Sequence, residues 1–322
     1  MATKWVWLAI ACLFAAGAVG AVGDILGPGE DDMLLENSIY RSEEARDRLM
    51  QIYDDLLARW PVPYEEFDLD TLYGTVHVIA SGPEDGVPAM LLHASGATAT
   101  SWGWNVEALD GYRVYAIDHI GEVNRSQLAS TDRFPQTINE ITGLYAEIAD
   151  LLGVDRSIVI AGSNGGFIAM NYAIRYPERV SKLILTGPMG LTPPRMSMGI
   201  RLLAAQLIDL RAIQEGTVRW VLGTSPSILE PFGEWFTTMM RGSFPHVVPP
   251  KGIAQDDLAK IEVPVLLFLG THDNLVGDHN RATKAASAMK DLRIEVLDVA
   301  HFVNVEGAEE VNRGIAEFLS DG

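Results

Sequence analysis

Cysteine is almost absent: Cys12 is the one thiol in 322 residues, so no intramolecular disulfide forms and no cysteine cluster holds a metal. Basic charge is scarce as well. Lys and Arg number 24 against 43 Asp and Glu, a formal net charge of −19, and a field of that sign repels phosphate backbones and anionic headgroups. Nucleic acid is therefore not an expected partner, and the acidity reads as a well-hydrated surface. The chain also lacks H-E-x-x-H, G-x-G-x-x-G and any Gly-rich phosphate loop, so no metal and no cofactor is expected. Internal repeats are missing too. What is abundant is apolar material, 48% of residues, enough for the packed core of one large or two small domains.

The first residues stand apart in composition. Trp5 to Gly23 is an uncharged run of 19 residues, about 28 Å as a helix, which nearly spans a bilayer. Lys4 precedes it and Asp24, Glu30, Asp31 and Asp32 follow, a polarity that keeps the N-terminus cytoplasmic and exports the body. Ala16-Gly17-Ala18 offers a small-residue cleavage site, so the run reads equally as a membrane attachment through residues 5–23 or as a cleaved signal peptide. Gly27-Pro28-Gly29 then marks a linker. Leu49, Ile52, Tyr53, Leu56, Leu57 and Trp60 follow with helical spacing, closed by Pro61 and Pro63.

From Thr71 onward the chain alternates. Strands are expected at Gly74–Ala80, Ala89–His93, Arg113–Ile117, Ser157–Gly162, Ser181–Thr186, Val263–Gly270 and Arg293–Val299, with amphipathic helices between most of them. Such a pattern implies an α/β fold, a mostly parallel sheet with helices on both faces, whose ligands bind beyond the carboxyl ends of the strands. Residues 191–262 break the alternation and read as an inserted helical cap. One stripe there is Ile200, Leu203, Leu207 and Leu210; a second is Phe232, Trp235, Phe236, Met239 and Met240. The expected organisation is thus a terminal segment (1–23), a linker with a helix (24–63), a core (64–190 and 263–322) and the cap (191–262).

Residues 158 to 170 read as strand, tight turn and helix, with Ser163 at the turn between Ala161 and Gly165. In the G-x-S-x-G turn the serine hydroxyl stands proud of the backbone; here alanine replaces the first glycine. A serine needs a base to take its proton and a third group to orient that base. His77 sits in an early strand, His119 follows Asp118, His246 lies in the cap, and His279 begins a helix. His301, just past the last strand, lies on the same sheet edge as Ser163, which marks it as the base. The orienting acid is then Asp273, just past the strand that begins at Val263; Asp278 is the fallback and Asp298 a poorer choice. Two N–H donors are needed for an oxyanion. The backbone of Asn164, after the serine, supplies one, and the Ser95 backbone, in the small-residue turn His93-Ala94-Ser95-Gly96, supplies the other. His93 itself reads as a residue that stabilises this turn.

With these residues in place, the chain from Tyr64 to Leu319 resembles the α/β-hydrolase family. The order Ser163, Asp273, His301 matches that family's order of nucleophile, acid and base, and the turn at His93 is similar to its His-Gly turn, with Ala94 where glycine is commoner. Trp60-Pro61-Val62-Pro63-Tyr64, and Tyr115-Ala116-Ile117-Asp118 followed by Gly121, look like bacterial carboxylesterase-type members. The resemblance implies a serine hydrolase of carboxylic esters working through an acyl-enzyme, with a small-molecule ester as partner. Alternatives are C–C bond hydrolysis, perhydrolysis or acyl transfer by the same residues, or a non-catalytic binding module.

Overall fold

The computed structural model describes residues 38–194, 196–208 and 210–321. The uncharged run at 5–23 and the linker glycines lie outside the described residues. Among those described, no helix is long and apolar enough to cross a membrane.

A nine-stranded sheet organises the chain, in the order β1-β2-β4-β3-β6-β7-β8-β9, with β5 paired to β2. Its strands are β1 (Tyr64–Thr71), β2 (Gly74–Ser81), β3 (Val87–Leu92), β4 (Tyr112–Ile117), β5 (Gln127–Leu128), β6 (Ser157–Gly162), β7 (Val180–Thr186), β8 (Val265–Gly270) and β9 (Leu292–Leu297). Only the β1–β2, β2–β4 and β2–β5 pairings are antiparallel; the rest are parallel. After β3 the chain steps out to β4 on one side and then returns to β6 on the other. That reversal opens a crevice beyond the carboxyl ends of β3 and β6.

Every residue of β6 and of β8 is buried, because helices cover both faces of the sheet. Successive side chains serve two cores in turn. Leu91, Ile160, Ile184 and Phe268 belong to a core shared with α1 (Glu43–Leu57) and α10 (Ala308–Ser320). Met90, Val159, Leu185 and Leu267 belong to the opposite core, with α2 (Ile138–Leu151), α3 (Ser163–Arg175) and α8 (His279–Ala286). Between β7 and β8 the described residues form helices and no strand: α4 (Met196–Leu207), α5 (Arg211–Leu222), α6 (Pro226–Gly242) and the short α7 (Gln255–Leu258). The last short helix, α9, is Val303–Glu306.

The expected strands form within a few residues of their expected ends. Two strands were not expected, the two-residue β5 and β1; β1 is mostly exposed and acidic, with Glu65, Glu66, Asp68 and Asp70 among its eight residues. Its apolar signal is confined to Phe67 and Leu69, and charge of this kind suits an edge strand that must not pair with another chain. The cap stripe at 200–210 also needs correcting. Leu203 is buried, but α4 ends at Leu207, and Leu207 and Leu210 are 39% and 54% exposed. The second stripe is buried throughout.

At the start of α2, Thr137 Oγ1 accepts from Glu140 N–H while the Glu140 carboxylate accepts from Thr137 N–H, a reciprocal cap. Thr137→Ala should therefore lower unfolding free energy by about 1 kcal/mol in urea titration. A loss under about 0.3 kcal/mol would mean that solvent replaces the cap at no cost.

Candidate active site

The six buried residues of β6 drive the chain into a turn that is too tight for ordinary backbone. Ser163 has φ +49°, the one positive value outside glycine among the described residues. Such a conformation costs about 1 to 3 kcal/mol and is retained where the surroundings over-determine it. Those surroundings are close. A Cβ on Gly165 would stand 2.5 Å from both the Leu92 and His93 carbonyl oxygens, so only glycine lets α3 sit this near β3. The Ala161 methyl, by contrast, is accommodated in the core shared with α3.

Three loops at the carboxyl edge of the sheet bring Ser163, His301 and Asp273 together. Ser163 Oγ–H donates to His301 Nε2 at 2.7 Å, and His301 Nδ1–H donates to Asp273 Oδ2 at 2.8 Å. The other carboxylate oxygen, Oδ1, accepts the N–H groups of Leu275 at 2.8 Å and Val276 at 2.9 Å. Asp273 therefore has one oxygen committed to backbone and one to the imidazole. All three side chains are buried. This geometry is that of a proton relay: the acid fixes the imidazole tautomer, which leaves Nε2 as the acceptor facing the hydroxyl.

The fallback acids stand elsewhere. Asp278 is exposed and caps α8, accepting Asn280 N–H at 2.9 Å. Asp298 is exposed and faces His272 Nε2 at 2.9 Å. Two of the other histidines are likewise engaged: His77 lies between Asp68 and Glu66, and His119 Nε2 donates to the His93 carbonyl at 2.7 Å; His279 is the first residue of α8, beside Asp278.

Beside Ser163 lies the turn after β3. His93 is fully buried, its Nε2 accepting from His119 N–H and its Nδ1–H donating to the Ala94 carbonyl. Burial, and then the neighbouring His119, push its pKa well below the histidine range, so the ring stays neutral. Ala97 N–H also reaches the Ala94 oxygen, at 2.9 Å. The Ala94 carbonyl and the Ser95 N–H share one peptide plane and point opposite ways. Pinning the carbonyl therefore aims the N–H away from it, and the Ser95 N–H makes no backbone hydrogen bond among the described residues. Asn164, at the first turn of α3, has an N–H with no intrahelical acceptor, and its Nδ2 lies 3.4 Å from Ser95 Oγ.

Over this edge sits an apolar wall. Phe302, next to His301, packs edge-on against Phe232 and Phe236 at ring separations of 5.1 and 6.2 Å. A Cβ on Gly96 would lie 3.1 Å from Phe236 and 3.2 Å from Met239. Two residues touching this region escaped the sequence reading. Glu122 is a buried acid behind the turn, flagged only by its place after Gly121, and Trp235 was read simply as part of a cap stripe.

The sequence profile of the alpha/beta hydrolase family matches residues 89–313. An uncharacterized carboxylesterase of Bacillus subtilis, nap, is 29% identical over 287 residues, 85% of this chain and 92% of its own. A 2-hydroxy-6-oxononadienedioate/2-hydroxy-6-oxononatrienedioate hydrolase of Pseudomonas sp is 36% identical, over 77% of this chain and 92% of that one. Among solved structures, carboxylesterase CesB (YbfK) of Bacillus subtilis superposes with a TM-score of 0.79 at 26% identity, covering 87% of this chain and 99% of its own. Fold, sequence profile and relatives agree over most of the length, and the chain belongs to the alpha/beta hydrolase family.

Proposed function

We propose that the protein hydrolyses carboxylic esters through an acyl-enzyme, and the single observation that carries this is the relay Ser163, His301, Asp273 at the sheet edge. Ser163 Oγ attacks the ester carbonyl carbon as its proton passes to His301 Nε2. The tetrahedral oxyanion is held by the N–H groups of Ser95 and Asn164. His301 then hands the proton to the departing alkoxide, leaving the acyl group on Ser163. Water attacks the acyl carbon by the same steps in reverse, with His301 again as base, and releases the acid. Two relatives named carboxylesterases, each covering most of the chain, support the ester as substrate. Export directed by residues 5–23 belongs to the same proposal, on the strength of the uncharged run and its flanking charges.

The hydrolase from Pseudomonas favours a second reading, cleavage of a C–C bond by the same residues. Its substrate is a dicarboxylate, which calls for cations in the pocket. The apolar side chains of Phe232, Phe236, Met239 and Phe302, beside His301 and Gly96, suit an acyl or aryl group, while the cations Arg46 and Arg125 line the cavity next to Glu122. A fluorophosphonate probe should label the folded protein stoichiometrically, with the adduct on the peptide carrying Ser163, and should block release of nitrophenol from nitrophenyl esters. An adduct on another residue, or none, would sink the proposal. Faster turnover of a 2-hydroxy-6-oxo-dienoate than of any nitrophenyl ester in a chain-length series would select the C–C reading.

A further inference from the structure

Burying a carboxylate without a cation is costly, so a buried acid beside an active site asks for a reason. Glu122 is such an acid, only 4% exposed, on the loop after β4. Its Oε1 accepts Ser95 Oγ–H at 2.8 Å and its Oε2 accepts Gly96 N–H at 2.6 Å. From the opposite side the cap reaches the same glycine: Trp235 Nε1–H donates to the Gly96 carbonyl at 2.7 Å. Gly96 has φ +78°, the left-handed region, and such a turn keeps its shape only while its peptides are held. Here they are. The Ala94 carbonyl is taken by His93 and Ala97, the Gly96 N–H by Glu122 and the Gly96 carbonyl by Trp235. Between these fixed points the Ser95 N–H makes no backbone hydrogen bond among the described residues.

We propose that Glu122 is a positioning residue for ester hydrolysis: together with Trp235 of the cap it clamps the Ser95–Gly96 turn, so that the Ser95 N–H is aimed at the oxyanion. The inference rests on the ester-hydrolysis reading and extends it to the device that orders the turn. A carboxylate suits the task because both oxygens accept and its charge strengthens both bonds: Gly96 N–H can only donate, and Ser95 Oγ–H donates here. Protonation turns two charge-assisted hydrogen bonds into neutral ones and obliges the Ser95 hydroxyl to turn and accept, which loosens one side of the clamp. Burial raises the Glu122 pKa to about 7, against the pull of the Gly96 and Ser95 hydrogen bonds, and Asp118 adds to the rise. Other ionisable groups around it are Tyr145 of α2 and, about a cavity of about 640 Å³ that Glu122 helps to line, Arg46, Asp68, His77 and Arg125. His119 is kept neutral, its pKa pushed down to about 4 by burial. The clamp is therefore closed above about pH 7 and loosens as the pH falls through that value.

Glu122→Gln imitates the protonated state: it keeps one acceptor for Gly96 N–H, faces the Ser95 hydroxyl with a donor and lacks the charge that strengthens both bonds. With a nitrophenyl ester at about pH 8.5, this variant should lower kcat about 10- to 100-fold while KM stays within about twofold. The gap should close to within about threefold at about pH 5.5, where the wild type carries the proton too. Protonation of His301 is common to both proteins and divides out of their ratio. A ratio that does not change with pH, or a loss confined to KM, would overturn the proposal, because a merely structural residue gives one of those. Trp235→Phe opens the other side of the clamp and should lower kcat about tenfold at constant KM, with a ratio independent of pH. If Glu122→Gln fails to fold, Trp235→Phe with wild-type kcat would still refute the clamp. Wild-type protein without fluorophosphonate-sensitive ester turnover would remove the ester reading and this inference with it. Intact wild-type turnover with an unaffected Glu122→Gln variant would strike the clamp alone.

Discussion

Replacement of His301 by alanine is expected to lower kcat for nitrophenyl esters by about 10⁶ while leaving the protein folded, the size of loss that removing a relay base or nucleophile produces in other hydrolases. Among the described residues the Ser163 hydroxyl has one hydrogen-bond acceptor, His301 Nε2 at 2.7 Å. Stability should survive, because Asp273 keeps two backbone donors, Leu275 and Val276, after the imidazole has gone. Oδ1 then stays satisfied while Oδ2 loses the imidazole and is left to water entering the vacated space, so the cost is a small cavity and one weakened hydrogen bond, about 1 to 3 kcal/mol. Steady-state turnover alongside thermal unfolding separates the two effects. A folded variant within about a hundredfold of wild type would place the base elsewhere, with His279 the first to try.

Asp273→Asn should lower kcat by about 10⁴, and the structure states why. Oδ1 of Asp273 accepts two backbone N–H groups, so an asparagine keeps its carbonyl oxygen there and must turn its NH₂ toward His301. Two donors cannot face each other. The imidazole is driven into the tautomer with its proton on Nε2, and in that form it cannot accept from Ser163. KM should hardly move, since no part of the apolar wall is touched. Asp278→Asn is the matched control: that carboxylate is exposed and only caps α8, so turnover should stay within about threefold of wild type. The reverse ranking of the two variants would mean that the orienting acid is Asp278.

The legible parts of this molecule and the illegible parts differ in kind. Strands such as β6 and β8 are unbroken apolar runs, and burial on both faces makes them so, which is why they were readable. The edge strand β1 escaped because solvent takes one side of it and acids replace the apolar period. In the cap, α6 was readable from Phe232, Trp235, Phe236, Met239 and Met240, all of which face the core. Around Leu207 to Leu210 the period was misleading, because one helix stops at Leu207 and the next begins only at Arg211, so Leu210 lies outside both.

Ser163, Asp273 and His301 were singled out because each follows a strand, and parallel strands end on one edge. That much is geometry carried by order along the chain. Glu122 and Trp235 have no such marker: they lie 26 and 139 residues from Gly96, and only packing of the β4 loop and the cap against one glycine joins them. Local pattern on its own therefore determined the α/β architecture, the turn at Ser163 and the strand-end positions from which its partners were chosen, since apolar period and small residues act over a few neighbours. Which acid faces the imidazole, how the Ser95 turn is held and what covers the reacting edge were decided only in the tertiary structure, because each depends on hydrogen bonds between segments far apart in the chain.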